Sequence, residues 1–256
     1  MTALAIVAAA LGATMTAWFA VALVRRDNSL ADVAWGGGFI LVAWLSLALA
    51  VEVTPRGVLT AILVTVWGVR LAAHIIVRNR GRGEDFRYAA WRAKWGRAWV
   101  WRSYLQVFLL QGMILFVAST PILVATLRPG RGLGLLDAAG VVVWLAGFVI
   151  ESVADWQLHR FRRRSTTPGA TMDRGLWSWS RHPNYFGESC LWWGLGLIAS
   201  AAPGGWIGLV GPALITFLLL RVSGVPMLEA GLLARQPGYA DYVRRTSAFL
   251  PLPPRH

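Results

Sequence analysis

A single cysteine, Cys190, stands in the 256 residues, so no disulfide can form within the chain. It lies in an apolar run, where a lone thiol is most simply a small buried hydrophobe. Lysine is equally scarce: Lys94 is the one lysine among 25 basic residues. Charge of either sign is thin at 14% of the chain, with 12 acids in all. No stretch between residues 2 and 225 is hydrophilic enough or long enough to fold as a soluble domain, and no tandem repeat, low-complexity tract or disordered tail interrupts the pattern. What remains is 56% hydrophobic, a composition that excludes a soluble domain with a polar surface and places the chain among membrane proteins.

The net charge of +13 raises the question of nucleic acid. The arginines, however, sit in short segments between apolar runs, a topogenic arrangement rather than a groove-tracking one, so no nucleic-acid partner is expected. Runs able to cross a hydrocarbon core of roughly 30 Å fall near residues 2–24, 33–51, 57–77, 103–127, 133–156, 187–202 and 204–225, the sixth being short. The first lacks a basic leader and runs straight into Arg25 and Arg26, so it reads as a retained span rather than a cleaved signal. Of the basic residues, 21 follow odd-numbered spans, against Arg56, Arg128 and Arg131 in the opposite loops. That asymmetry predicts an outside N-terminus and a cytoplasmic C-terminus. The expected fold is an all-α polytopic bundle of about seven transmembrane helices, in a multi-pass protein of the bacterial cytoplasmic membrane, with membrane lipids as neighbours.

Four polar clusters break the apolar pattern. The first, Asn79 to Tyr88, mixes glycine, arginine and acid after the third span. It reads equally as an anion cradle or as a juxtamembrane loop meeting lipid headgroups. The second, Glu151 and Asp155, is spaced to share one face of the fifth span, with Gln157 and Arg162 beyond. Carboxylates in a spanning helix face a cavity or a partner, so a functional site is the expectation, against interfacial pairing with Arg160 or Arg163. The third runs from Gly175 to Glu188. Here Pro183 reads as an early helical residue, which puts free amides and the positive helix end beside Arg181 and His182 and makes a phosphate or carboxylate site. Asn184 and Glu188, four apart, share a face. The fourth stretch joins Ser223 to Pro226, Glu229 and a tail through Tyr239, Tyr242 and Phe249. Pro226 is expected to end or kink the last span, and the tail to fold back over a pocket or lie as an interfacial helix.

At the third cluster the sequence resembles the uncharacterised bacterial branch of the steroid 5-alpha-reductase-like membrane proteins, the group called DUF1295. The resemblance covers most of the chain. It is carried by Asp32 with Trp35-Gly36, Trp67-Gly68 with Arg70, Gly83-Glu84-Asp85 with Arg87-Tyr88, Glu151 with Asp155, Ser180 to Glu188, Ser223 to Pro226, and the tail from Tyr242 to Pro251. It implies a seven-helix bundle enclosing NADPH, with a lipid-like substrate entering among the first four helices. One membrane domain over 1–256 would then comprise substrate-side helices in 1–130 and a cofactor-binding half in 131–256. Carried over by position, cofactor contacts fall on Asp155, Arg162, Asn184 and Glu188, with Glu151 where steroid reductases carry asparagine; Arg181, His182 and Tyr185 complete the expected cofactor set. In those reductases a glutamate and a tyrosine polarise the enone oxygen. Asp32 stands for the acid here, but the third span offers Trp67, Gly68, Arg70 and His74 and no tyrosine. Tyr88 or Tyr104 is the candidate replacement.

Arg181-His182-Pro183-Asn184-Tyr185 with Gly187-Glu188 also resembles the Arg-His-Pro motif of isoprenylcysteine and phospholipid methyltransferases, which bind S-adenosylmethionine there. The leading expectation is an NADPH-dependent reductase of a carbon-carbon double bond in a sterol, isoprenoid or acyl lipid, with Asp32 and Tyr88 catalytic and no metal. The alternatives are a lipid methyltransferase using S-adenosylmethionine and a non-enzymatic lipid-binding or transport protein.

Overall fold

A computed structural model describes residues 2–255 apart from 82, 131, 166–168 and 237; Arg82 of the first polar cluster and Arg131 therefore lie outside the described residues. Among the described residues every regular element is helical, and the chain is a polytopic helical membrane protein. Among the described residues six helical runs are long and apolar enough to cross a membrane: Ala3–Arg25, Leu30–Ala48, Pro55–Asn79, Phe86–Ala118, Leu135–Arg164 and Gly205–Leu233. The other expected span, 187–202, forms helix Pro183–Ser200, whose first turns carry Asn184 and Glu188 and are correspondingly less apolar.

The chain forms two compact units, Met1–Gly134 with Ala199–Val210, and Leu135–Ile198 with Gly211–His256. In the first unit, α1 (Ala3–Arg25) starts at Thr2, whose hydroxyl accepts from the Ala5 amide, and stops where Arg26 turns left-handed at φ 52°. Next come α2 (Leu30–Ala48) and α3 (Pro55–Asn79), the latter capped by the Thr54 side chain on the Gly57 amide, with proline in its first turn. These two helices meet backbone to backbone. A side-chain carbon built at Gly36 would lie 2.8 Å from the Gly68 carbonyl oxygen, and one at Gly68 would lie 2.9 Å from that of Gly36. Around this contact Trp35, Phe39 and Trp67 pack edge to face.

The fourth expected span, 103–127, is differently bounded. Helix α4 (Phe86–Ala118) begins seventeen residues earlier, where Asp85 caps it by accepting from the Arg87 amide, and it widens into a π-helical stretch at Ser103–Leu109. It ends at Ser119, and α5 (Thr120–Leu127) starts afresh, because Pro121 cannot donate to the preceding turn and restricts the residue before it.

The second unit is built on α6 (Leu135–Arg164) and α8 (Pro183–Ser200), with the single turn α7 (Leu176–Trp179) between them. Glycines spaced seven apart on each long helix form their contact. Carbon built at Gly147 would come within 2.5 Å of the Gly187 oxygen, at Gly194 within 2.6 Å of the Gly140 oxygen, and at Gly187 within 2.5 Å of the Glu151 amide. Apolar burial gives little drive between helices in lipid, so such close backbone approach is what holds them. Last come α9 (Val210–Phe217), α10 (Val225–Arg235) and α11 (Tyr239–Arg245). The break between α9 and α10 falls at Ser223 and Gly224, and Pro226 sits in the first turn of α10 rather than at the end of the preceding helix.

A Gly187→Val substitution should force α8 off α6. The expected cost of such overpacking is about 3 kcal/mol, a fall of roughly 6–12 °C in thermal midpoint, measured by heating the full chain in detergent. Gly37→Ala, with nothing within 4 Å of the added carbon, should leave the midpoint unchanged.

Candidate functional site

Both units hold clusters of interacting polar side chains. In the first, the start of α2 meets the start of α4. Asp32, in the first turn of α2, receives the Tyr88 hydroxyl on Oδ1 at 2.6 Å and Arg87 Nη2 on Oδ2 at 2.8 Å, with Arg78 Nη2 3.8 Å from the same oxygen. Tyr88 is buried and packs edge to face on Trp91. The loop between α3 and α4 is tied to the α1–α2 turn from both sides. The Asn28 amide donates to Glu84 at 2.9 Å and the Asp85 amide donates to the Ser29 hydroxyl at 2.7 Å. Glu84 in turn holds Arg92 through both carboxylate oxygens. Arg78 at the end of α3 and Arg87 and Arg92 of α4 thus meet acids within the unit. The π-helical stretch of α4 brings Ser103 to accept from Asn28 Nδ2 at 2.9 Å.

Of the two tyrosines expected to replace the reductase tyrosine, Tyr88 is the one on Asp32. Tyr104 lies instead against α1, 3.2 Å from the Thr16 hydroxyl and 5.0 Å from the Phe19 ring centroid. Burial alone would raise the Asp85 carboxyl, but the side chain and amide of Arg87, with Arg78 nearby, hold it below its ordinary value.

The second cluster starts from the glycine contact. Because the α8 backbone runs against α6 at Gly187, Glu151 and Asp155 are both buried, and Asn184 donates from Nδ2 to Asp155 Oδ1 at 3.1 Å. Arg160 and Arg163 are exposed on the other side of α6, so the interfacial pairing considered from the sequence gives way to a buried acid face. Asn184 Oδ1 is a buried acceptor without a hydrogen-bond partner among the described residues. Arg162 is exposed beyond Asp155, and Glu188 is half-buried one turn after Asn184.

Arg181 and His182 precede α8 and are both buried. Arg181 grips Glu229 of α10 through Nε at 2.7 Å and Nη2 at 3.2 Å, and its Nη1 donates to the carbonyls of Val243 and Thr246. His182 Nε2 lies 3.0 Å from the same Glu229 oxygen; against a carboxylate that only accepts, this nitrogen carries the proton. Tyr185 stacks on the His182 ring, the planes 3° apart. The tail then runs back along this segment. Ser180 donates to the Phe249 carbonyl, the Arg181 amide to that of Ser247, the Leu252 amide to that of Trp179, and the Tyr242 hydroxyl to that of Trp177. Burial pushes the Tyr239 and Tyr242 hydroxyls well above their ordinary range, so both remain donors. The tail therefore folds back along residues 177–181.

Sequence reasoning placed Glu229 in the fourth stretch without assigning it to a site. Its signal was its isolation, as no other acid occurs between Glu188 and Asp241. Among the described residues no three His, Cys, Asp or Glu side chains gather as they would around a metal ion. The polar groups fit an organic cofactor in part. Asn184 Oδ1 and the carboxylates of Glu151, Asp155 and Glu188 suit amide, ribose or sulfonium groups, whereas the Arg181 guanidinium is already taken up by Glu229 and two carbonyls. Arg162, exposed beyond Asp155, is the other arginine of the expected set.

The sequence profile of a family described as a protein of unknown function, DUF1295, matches residues 18–246. A protein of Schizosaccharomyces pombe described as uncharacterized is 26% identical over 188 residues, which are 61% of this chain and 54% of the yeast protein. The chain thus spans about half the length of that curated relative. No solved structure matches it significantly.

Two outcomes follow from this geometry. Arg181→Ala should cost about 3–5 kcal/mol, because it strands the Glu229 carboxylate, and limited proteolysis should then cut within 239–255 well before it cuts the first unit. For Asp85, whose folded value is depressed, the stabilisation is fully present above the unfolded value of about 3.9 and is lost as pH falls through the folded one. The thermal midpoints of wild type and Asp85→Asn should accordingly differ at pH 7 and converge as the pH approaches the folded value.

Proposed function

This chain belongs to the DUF1295 family, and from that premise we propose that it is an NADPH-dependent reductase of a carbon-carbon double bond conjugated to a carbonyl in a lipid-like substrate. The observation that carries the reading is the Tyr88 hydroxyl held 2.6 Å from Asp32, with Arg87 on the other carboxylate oxygen. Reduction of an enone leaves negative charge on oxygen, and a positioned proton donor lowers that barrier. Asp32, receiving a charged donor and a hydroxyl, fixes the Tyr88 ring; with substrate bound the Tyr88 O–H would turn from Asp32 to give its proton to the substrate oxygen, and a proton from water would restore it. The burial of Tyr88 keeps water from competing for that hydrogen bond. NADPH, when bound, supplies the hydride. Asn184 would hold its carboxamide through the open Oδ1 acceptor, Asp155 would orient Asn184, and Arg162 would meet a phosphate. Glu151, Glu188 and Tyr185 would face the ribose and ring portions. In this reading Arg181 and His182 hold the segment before α8 in place through Glu229. The basic loops, by the positive-inside asymmetry, would face the cytoplasm, where the cofactor is available.

One observation favours a second reading. Glu151 and Asp155 are buried on α6 while the buried Arg181 is neutralised by Glu229, which suits the sulfonium of S-adenosylmethionine and hence a lipid methyltransferase.

Calorimetry of the full chain in detergent with NADPH and, separately, S-adenosylmethionine distinguishes the two. The reductase reading expects NADPH to bind, Asn184→Ala to weaken it about tenfold through the loss of one hydrogen bond, and Tyr88→Phe to leave it unchanged. NADPH oxidation driven by enone lipids should then fall by about 10²-fold or more in Tyr88→Phe. Binding of S-adenosylmethionine alone would replace the reductase with the methyltransferase. Binding of neither would return the protein to the non-enzymatic lipid-binding class.

A further inference from the structure

Helix α6 presents a second face with chemistry of its own. At 100° per residue, Glu151, Asp155 and Arg162 fall within about 40° of one another. Trp156, Arg160 and Arg163 lie about 120–180° away from Glu151, on the opposite side. Trp156 is 56% exposed, the Arg160 guanidinium sits 5.2 Å from the centre of its ring, and His159 and Arg164 flank them. The five side chains line a surface concavity of about 370 Å³. No acid of α6 lies on this side, so the helix itself offers these cations no counter-charge.

The same side continues up the helix as an apolar strip. Val142, Leu145, Val149 and Val153 share its direction and are all exposed, at 66, 48, 55 and 37%. An acyl-length apolar track leads directly to an aromatic ring and then to three guanidiniums within two turns. An anion free in solution would use the cations but not the track. A phospholipid uses both, its chains along the valines, its glycerol region at Trp156 and its phosphate between Arg160 and Arg163. The negative helix end adds to the attraction between α6 and its own arginines, holding them at this level.

We propose that this outer face of α6 is a binding site for an anionic phospholipid, with Arg160, Arg163 and Arg164 holding the headgroup phosphate and Trp156 marking the interface. The site is independent of the reductase reading, since its residues lie across the helix from Glu151 and Asp155.

Native mass spectrometry of the full chain in mild detergent tests it, with phosphatidylglycerol and phosphatidylcholine of identical acyl chains added in turn. The wild type should retain phosphatidylglycerol about tenfold better, and Arg160→Gln/Arg163→Gln/Arg164→Gln should lower retention to the phosphatidylcholine level. Arg25→Gln/Arg26→Gln/Arg97→Gln, which removes the same charge from exposed positions elsewhere, should keep the preference. If the triple variant fails to purify, Arg163→Gln alone carries the test, with about a threefold loss expected. Equal retention of the two lipids by the wild type, or equal loss in the control variant, would overturn the proposal.

Discussion

Two helices in contact along their backbones set the geometry of the second unit. Gly140 and Gly147 on α6 oppose Gly194 and Gly187 on α8, and any side chain at these positions would run into main-chain atoms less than 3 Å away. In a hydrocarbon environment helices gain little from hiding apolar surface from one another. Close approach, with the dispersion contacts it allows, is the available source of adhesion. That approach has a chemical consequence. It lays the first turns of α8 against Glu151 and Asp155, so that Asn184 reaches Asp155 and the buried carboxylates acquire polar neighbours instead of lipid.

The charged groups nearby show the complementary constraint. A guanidinium as buried as that of Arg181 must have its donors met, and Glu229 with two carbonyls of the tail does so. The same contacts fasten α10, α11 and the tail to the segment before α8, so one arginine organises four pieces of chain. In the first unit Asp32 plays the reciprocal part, a half-buried carboxylate that gathers Arg87 and Tyr88. Both clusters have the form expected of ionic groups in low dielectric, where partners are fixed in number and direction.

Helix α6 carries two kinds of surface at once. Its buried side begins with glycines and Trp144 and passes through Glu151 and Asp155, and the exposed Arg162 continues the same direction. Its outer side runs from exposed valines to a tryptophan and a group of arginines. A helix rotates by 100° per residue, so acids and arginines that alternate along the sequence separate cleanly in space. The segment from 151 to 164 reads in one dimension as a mixed charge cluster, and in three dimensions as two unrelated faces.

The all-helical membrane architecture was legible from apolar run length, because a bilayer leaves a spanning chain few other ways to satisfy its backbone. So was the start of α8 at Pro183, since proline favours a first turn, and the shared face of Glu151 and Asp155, since four residues make about one turn. Family membership was legible in residues 18–246. The sequence could not decide between Tyr88 and Tyr104 as the partner of Asp32, which depends on how α4 begins beside α2. Nor could it show Arg181 committed to Glu229, 48 residues away, or the tail laid back along residues 177–182. Local propensity and hydropathy act over a few turns and are written in adjacent residues. Pairings between distant charged groups arise only once helix packing has fixed which side chains share a low-dielectric neighbourhood, and that information lies in the tertiary structure.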